Sequence, residues 1–250
     1  MTPILIAVAA AAAPQPAGPA DTTDNRYKAC VRTIRTSPDQ AVRQADTWLR
    51  SGGGIPANQC LGMAEAQRGR WTAAGGAFEA AAKEADSRQD RRRADLWAQA
   101  GNAWLAGGDA ARARKALDSA IAAKLLGPEM EGEAILDRAR AAKALGDLPA
   151  ARADLDKALE LVPGDAFVWY LSAVLARQQK DLPRAQQHIA KAVGLAPDAA
   201  EILLEAANVA VASGEHEAAE GLFARAARAA PNSEAGRAAQ AALAEAAQPK

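Results

Sequence analysis

Apolar residues recur along the chain at spacings of three and four, and short polar turns interrupt them at regular intervals. This spacing places the apolar side chains on one face of an α-helix, and no stretch alternates between apolar and polar residues as a strand would. Alanine supplies most of the apolar residues, and alanine favours helices that pack at close range. The pattern predicts an all-α protein built from pairs of amphipathic helices.

The helix pairs repeat with a fixed period. Residues 148–165 match residues 182–198, so that Pro163 aligns with Pro197 at an offset of 34 residues. The same offset leads to Pro231, which follows a third similar helix. A period of this length indicates a stacked repeat, in which each unit buries its apolar face against the next unit.

The order of small and large residues within a unit resembles the tetratricopeptide repeat family. In the unit from Ala166, Trp169 is the large residue at position 4, while Ala173 and Ala185 are the small residues at positions 8 and 20. Small residues stand where two helices cross closely, and large ones fill the gaps between hairpins. The resemblance implies a right-handed superhelical solenoid of helical hairpins. Its five units are expected at residues 55–93, 94–131, 132–165, 166–199 and 200–231.

The two ends of the solenoid are expected to depart from the repeat. Residues 26–54 predict a degenerate N-terminal helical hairpin, preceded by a flexible segment at residues 21–25. Residues 232–250 predict a C-terminal capping helix and tail, which would cover the last apolar surface.

An insertion at residues 86–93 interrupts the period. Ser87, with Asp90 three residues later, is typical of a capping box, which predicts that the following helix begins near Arg88. The insertion is rich in arginine, so it could bind an anionic partner, or it could be a solvated helix extension.

The N-terminus and the two cysteines both bear on location. Residues 1–20 contain an apolar stretch too short to span a bilayer, followed by a Pro/Ala/Gly tract, and resemble a secretory signal peptide. Cys30 and Cys60 are the only cysteines, and such a pair behind an export signal predicts one disulfide. The alternative is two buried thiols in a cytoplasmic protein. The expected location is therefore periplasmic or secreted, and otherwise cytoplasmic.

The charges balance overall but not along the chain. Lys and Arg number 30, as do Asp and Glu, which argues against a nucleic-acid partner. Residues 26–93 contain 13 basic and 7 acidic residues, whereas residues 94–250 contain 17 and 21. The N-terminal part of the solenoid is therefore expected to be basic and the C-terminal part acidic, and a solvated surface would explain this equally well.

The sequence contains no recognisable catalytic or cofactor chemistry. Nucleotide-binding loops and nucleophile motifs are absent, and His188 and His216 have no Cys or His neighbour at metal-ligand spacing. We therefore expect no catalytic residues, no metal site and no cofactor.

The resemblance implies that the first helix of each unit lines a concave face. In this family, positions 2, 5, 9, 12 and 13 of a unit project into that groove. Phe167 and Tyr170 lie there beside Arg140, Lys143 and Arg177. An aromatic platform next to cations suits an extended peptide with an acidic group.

Two asparagines extend the candidate groove. Asn102 and Asn208 take the position of the asparagines with which some family members clamp a C-terminal carboxylate. The lysines that accompany them in that clamp are replaced by Ala98 and Leu204. A chaperone-tail receptor is therefore not expected.

The sequence as a whole predicts a protein–protein interaction scaffold that binds a protein or peptide in its concave groove, without a stable membrane span. One alternative is a structural self-assembling or cell-envelope assembly factor. Another is a non-catalytic docking subunit of an enzyme complex. The sequence leaves the partner and the oligomeric state open.

Overall fold

The computed structural model describes residues 22–246, and every regular element in that range is an α-helix, which confirms the all-α prediction. The predicted signal peptide and residues 247–250 of the predicted tail lie outside the described residues. The helices are α1 (Thr23–Thr36), α2 (Pro38–Arg50), α3 (Gly54–Gln67), α4 (Trp71–Ser87), α5 (Arg93–Ala106), α6 (Ala110–Ala122), α7 (Pro128–Ala144), α8 (Leu148–Leu161), α9 (Ala166–Gln178), α10 (Leu182–Leu195), α11 (Ala200–Ala212), α12 (His216–Ala229) and α13 (Glu234–Ala246).

The helices pair into six hairpins that stack along one axis. Each helix packs on its neighbours in the chain, and first helices of adjacent hairpins also touch, as α5 touches α7 and α9 touches α11. The last helix, α13, packs on both helices of the final hairpin and so covers the C-terminal end. Within the described range, no helix is both long enough and apolar enough to cross a bilayer.

The turn inside a hairpin is encoded by two adjacent residues. The first takes a left-handed backbone conformation, as Gly146 does at φ 79° and Lys180 does at φ 62°. The second is the N-cap of the following helix: Asp147 and Asp181 each accept the backbone N–H three residues on. This pairing ends one helix and starts the next within a few residues.

Close helix crossings explain the abundance of alanine and glycine. A Cβ atom on Gly101 would lie 2.5 Å from Cγ of Leu117, and one on Gly75 would lie 2.6 Å from Cδ2 of Trp104. Ala185 and Ala192 on α10 are fully buried at the crossing with α9. A larger side chain at any of these positions would push the two helices apart.

The start of the chain and the insertion differ from the sequence-based expectation. Thr22 caps α1 through the backbone N–H of Asn25 (3.2 Å), so residues 23–25 are helical rather than a flexible segment. In the insertion, Ser87 belongs to α4, and its hydroxyl donates to the Glu84 carbonyl oxygen (2.8 Å) instead of capping a following helix. Asp90 instead accepts the backbone N–H of Arg92 (2.9 Å), and α5 begins at residue 93, not near residue 88.

Candidate functional site

Five of the seven predicted groove residues lie in one connected row along the first helices α5, α7 and α9. The row, called here the concave row, is continued by two acidic side chains that the sequence analysis did not single out, Asp137 on α7 and Glu205 on α11. Its members are Asn102, Asp137, Arg140, Phe167, Tyr170, Arg177 and Glu205.

The α5 end of the concave row is a hydrogen-bonded cluster around Asp137. The Asn102 amide donates to Asp137 Oδ2 (2.9 Å), and the Arg140 guanidinium donates to Asp137 Oδ1 (2.7 Å). The Asp137 side chain is only 13% exposed, and burial raises its pKa above the ordinary value, while Arg140 acts in the opposite direction. Asn102 and Arg140 are thus engaged within the protein.

The centre of the concave row is an aromatic platform. The rings of Phe167 and Tyr170 stack with centroids 5.6 Å apart and planes inclined by 29°. The guanidinium carbon of Arg140 lies 6.0 Å from the Phe167 ring centroid, at the limit of a cation–π contact. Phe167 remains 43% exposed, so the platform presents an apolar surface to a partner. Burial, followed by the nearby Glu205 carboxylate, raises the pKa of Tyr170.

The α11 end of the concave row is a bidentate ion pair. Arg177 Nε lies 2.6 Å from Glu205 Oε1, and Arg177 Nη2 lies 3.0 Å from Glu205 Oε2. The Glu205 side chain is 6% exposed, and the hydrogen bonds to it raise the pKa of Arg177. Because both Arg140 and Arg177 bind internal carboxylates, the platform attracts an acidic ligand less than the sequence suggested.

The two remaining predicted residues are half-buried. Lys143 follows Arg140 by three residues on α7, and Asn208 follows Glu205 by three residues on α11. Neither side chain forms a hydrogen bond or ion pair with another described residue. Of the three predicted groove cations, Lys143 is therefore the one that has no ion-pair partner among the described residues.

The arginines of the insertion are also mostly paired. Arg88 binds Glu84 (2.6 Å), Arg92 binds Asp90 (2.6 Å), and Arg93 lies 3.9 Å from Asp86. A surface that neutralises its own cations in this way offers little attraction to an anionic partner. The solvated extension is the better interpretation of this segment.

The two cysteines join the first two hairpins. Cys30 on α1 and Cys60 on α3 lie at disulfide-bonding distance, with their Cα atoms 6.2 Å apart. Both are buried beside Trp48, Ala45 and Ala57. Because α1 and α3 pack directly on each other, a bond between these cysteines links α1 to the following hairpin.

A buried polar cluster links α8, α9 and α10. The Arg152 guanidinium donates to Ser172 Oγ (2.7 Å), and Ser172 Oγ lies 2.8 Å from His188 Nδ1. Arginine can only donate, so Ser172 Oγ accepts from Arg152, and its contact with His188 Nδ1 is a hydrogen bond whose direction depends on the imidazole tautomer. Ser172 is fully buried, so this serine–histidine pair is not reachable by a substrate. Among the described residues, no group of three acidic, histidine or cysteine side chains is placed to hold a metal.

This cluster predicts a pH-dependent stability. Burial, then Arg152 and Arg184, lower the pKa of His188, against the weaker opposing effect of Asp156 and Asp181. The unfolded chain therefore binds more protons than the folded chain as the pH falls below about 6.5, and stability is lost in that range.

We expect urea denaturation to show a larger loss of stability between pH 7.5 and pH 5 in the wild-type chain than in His188→Asn, whose amide does not titrate and can still hydrogen-bond to Ser172. His216→Asn, on the exposed start of α12, is the matched control and should behave like the wild type. Equal pH profiles for all three chains would contradict this role of His188.

Comparisons with known proteins agree with the repeat architecture. Two sequence profiles described as tetratricopeptide repeats match residues 136–200 and 176–243. No curated protein sequence matches the chain significantly.

Several solved structures share the fold. PilF of Pseudomonas aeruginosa superposes with a TM-score of 0.69 at 17% identity, covering 88% of this chain and 97% of that chain. PilW, described as a widely conserved type IV pilus biogenesis factor, gives 0.71 at 19% identity over 87% and 98%. YrrB, described as a TPR protein with an unusual peptide-binding site, gives 0.56 at 15% identity over 78% and 96%. The 34-residue pattern, the stacked hairpins and the two profile matches together identify this chain as a member of the tetratricopeptide repeat family.

Proposed function

We propose that this chain is a non-catalytic adaptor that binds a peptide or protein segment along its concave face. The observation that carries the proposal is the exposed Phe167–Tyr170 platform at the centre of the concave row. A stacked aromatic pair in a groove offers a large apolar contact at low entropic cost, which is the usual anchor of a protein interface. Lys143 and Asn208 add donors on either side of the platform for the partner's backbone or acidic groups.

The adaptor is proposed to act in the periplasm. Support comes from the signal-like sequence of residues 1–20 and from the pairing of Cys30 with Cys60, since disulfides persist in oxidising compartments. A second candidate function is a cell-envelope assembly factor. The near full-length fold likeness to PilF and to the pilus biogenesis factor PilW favours it, although the low identities are evidence of fold alone.

Intact mass spectrometry tests the proposed location. The chain is expressed in a bacterium with its native N-terminus, and its mass is measured with and without reductant after alkylation of free thiols. Loss of about the first twenty residues, with both cysteines protected until reduction, is the expected result. A full-length chain that is alkylated at both cysteines without reductant would contradict the periplasmic proposal.

Removing the aromatic platform should weaken peptide binding. Peptides are selected from a displayed random library on the wild-type chain, and the best one is synthesised with a fluorescent label. In Phe167→Ala/Tyr170→Ala, we expect its affinity, measured by fluorescence anisotropy, to fall by at least about tenfold, because the anchoring surface is lost.

The control is Leu195→Ala, which removes an exposed apolar side chain at the end of the second helix α10 and should leave the affinity unchanged. If the peptide bound the wild type and the double variant equally, the concave row would not be its binding site, which would contradict the proposed function.

A further inference from the structure

Two openings lie in the N-terminal half of the molecule, and the first of them shares Asn102 and Asp137 with the α5 end of the concave row. One opening of about 320 Å³ is lined from α3, α4, α5, α6 and α7, and a second of about 330 Å³ is lined from α1, α3 and α4. Ala66, Trp71 and Phe78 line both openings, so the two are adjacent, and together they are called here the N-terminal recess. Its size suits a few side chains of a bound segment rather than a folded domain.

The floor of the N-terminal recess is apolar and exposed. Trp71 is 40% exposed and Met130 is 44% exposed, and both line the same opening. Val31, Ile34 and Met63 continue the apolar surface into the second opening. Apolar side chains left open in a groove indicate a surface that a partner covers.

The wall of the first opening is acidic. Asp95, Glu133 and Asp137 line it, and no lysine or arginine of the described chain does. Asp137 is satisfied by Asn102 and Arg140, whereas Asp95 and Glu133 form no ion pair with a described residue. The second opening has the opposite sign, because Arg35 lines it and no carboxylate of the described chain does. The recess therefore has a negative end at α5–α7 and a positive end at α1.

We propose that the N-terminal recess binds a partner segment in which a large apolar side chain is adjacent to a lysine or arginine. The apolar side chain packs on Trp71 and Met130, and the cation is directed to the unpaired carboxylates Asp95 and Glu133. The positive charge of Arg35 at the other end determines the direction in which the segment binds. A reversed segment would place its cation next to Arg35, where the two like charges would repel each other. A nucleic acid or an acidic peptide would meet the carboxylates with like charge.

This inference rests on the proposed peptide-binding function and specifies the chemistry of the ligand. The test uses random displayed peptides selected on the full oxidised chain, and the best selected peptide is synthesised with a fluorescent label. We expect selected sequences to be enriched in lysine or arginine next to an aromatic or large aliphatic residue. Replacing that cation by glutamate should weaken binding by at least about tenfold, the change that 1.4 kcal/mol produces.

Charge-neutralising variants locate the cation. Asp95→Asn/Glu133→Gln should weaken binding of the wild-type-selected peptide by at least about tenfold and make it less sensitive to salt. The matched control, Glu217→Gln/Glu220→Gln, makes the same change in net charge on α12, far from the recess, and should bind within about twofold of the wild type. Trp71→Phe should abolish any change in tryptophan fluorescence that peptide binding causes.

The outcomes separate the inference from the function on which it rests. One outcome would overturn the inference and leave the proposed function intact. In it, the selected peptides lack a basic residue, Asp95→Asn/Glu133→Gln binds them as the wild type does, and Phe167→Ala/Tyr170→Ala binds them more weakly. Peptides that bind all variants equally, or a selection that enriches none, would overturn both. If the wild-type chain forms concentration-dependent dimers and Asp95→Asn/Glu133→Gln abolishes them, the occupant of the recess is a second copy of this chain. That result would overturn the proposal of a separate partner.

Discussion

Replacing Arg177 by methionine is expected to lower the free energy of unfolding by about 2–3 kcal/mol. The substitution leaves the Glu205 carboxylate buried between α9 and α11 without its bidentate partner, and an unpaired buried charge is among the most costly changes in a protein. The expected loss is below the upper range for such changes because the Arg177 side chain is 30% exposed and water can partly replace it. Urea denaturation followed by circular dichroism measures the effect.

A double replacement distinguishes the buried charge from lost packing. Arg177→Met/Glu205→Leu removes both charges and should recover at least half of the lost stability. The exposed pair of Lys157 and Glu160 provides the matched control, and Lys157→Met should cause no measurable change. If Arg177→Met were as stable as the wild type, the ion pair between α9 and α11 would have no structural role.

Reducing the bond between Cys30 and Cys60 should lower the stability of the N-terminal hairpins by about 3–4 kcal/mol. The bond closes a loop whose ends are 30 residues apart, and opening it releases the unfolded chain from that constraint. Fluorescence of Trp48, which packs against the cysteines, should report this loss during urea denaturation with and without reductant.

The control for reduction is Cys30→Ala/Cys60→Ala. This variant should resemble the reduced wild type, and reductant should not change it further. A wild-type chain whose Trp48 transition is insensitive to reductant would show that the bond does not stabilise the first two hairpins.

The repeat pattern of the sequence was sufficient to predict the helical hairpins, because each signature position has one packing role. Position 101 requires glycine because a larger residue there would clash with Leu117. Position 146 favours glycine because this turn residue has a left-handed backbone conformation. The helix boundary near residue 88 was wrong for a local reason. Ser87 and Asp90 fit the capping pattern by spacing alone. In the structure the Ser87 hydroxyl donates to the Glu84 carbonyl oxygen at the end of α4, and Asp90 accepts the backbone N–H of Arg92.

The composition of the candidate site was predicted better than its charge. Phe167 and Tyr170 stack because side chains three residues apart lie on the same face of a helix, a contact that their spacing in the sequence allows. The ion pairs were missed because Asp137 and Glu205 both occupy position 6 of a unit, which was not counted as a groove position. Arg177 and Glu205 also belong to different units, so only the stacking of the hairpins reveals their contact.

A bond between Cys30 and Cys60 would make the two ends of the stack differ in how easily their helices separate. In a solenoid each hairpin is held only by its neighbours, so separation begins where one neighbour is missing. At the N-terminal end a Cys30–Cys60 disulfide would tie the first hairpin covalently to the second, whereas α13 at the other end is held by noncovalent contacts. We therefore expect proteases to degrade the oxidised protein from its C-terminal end, and a reducing environment to open the opposite end to cleavage as well.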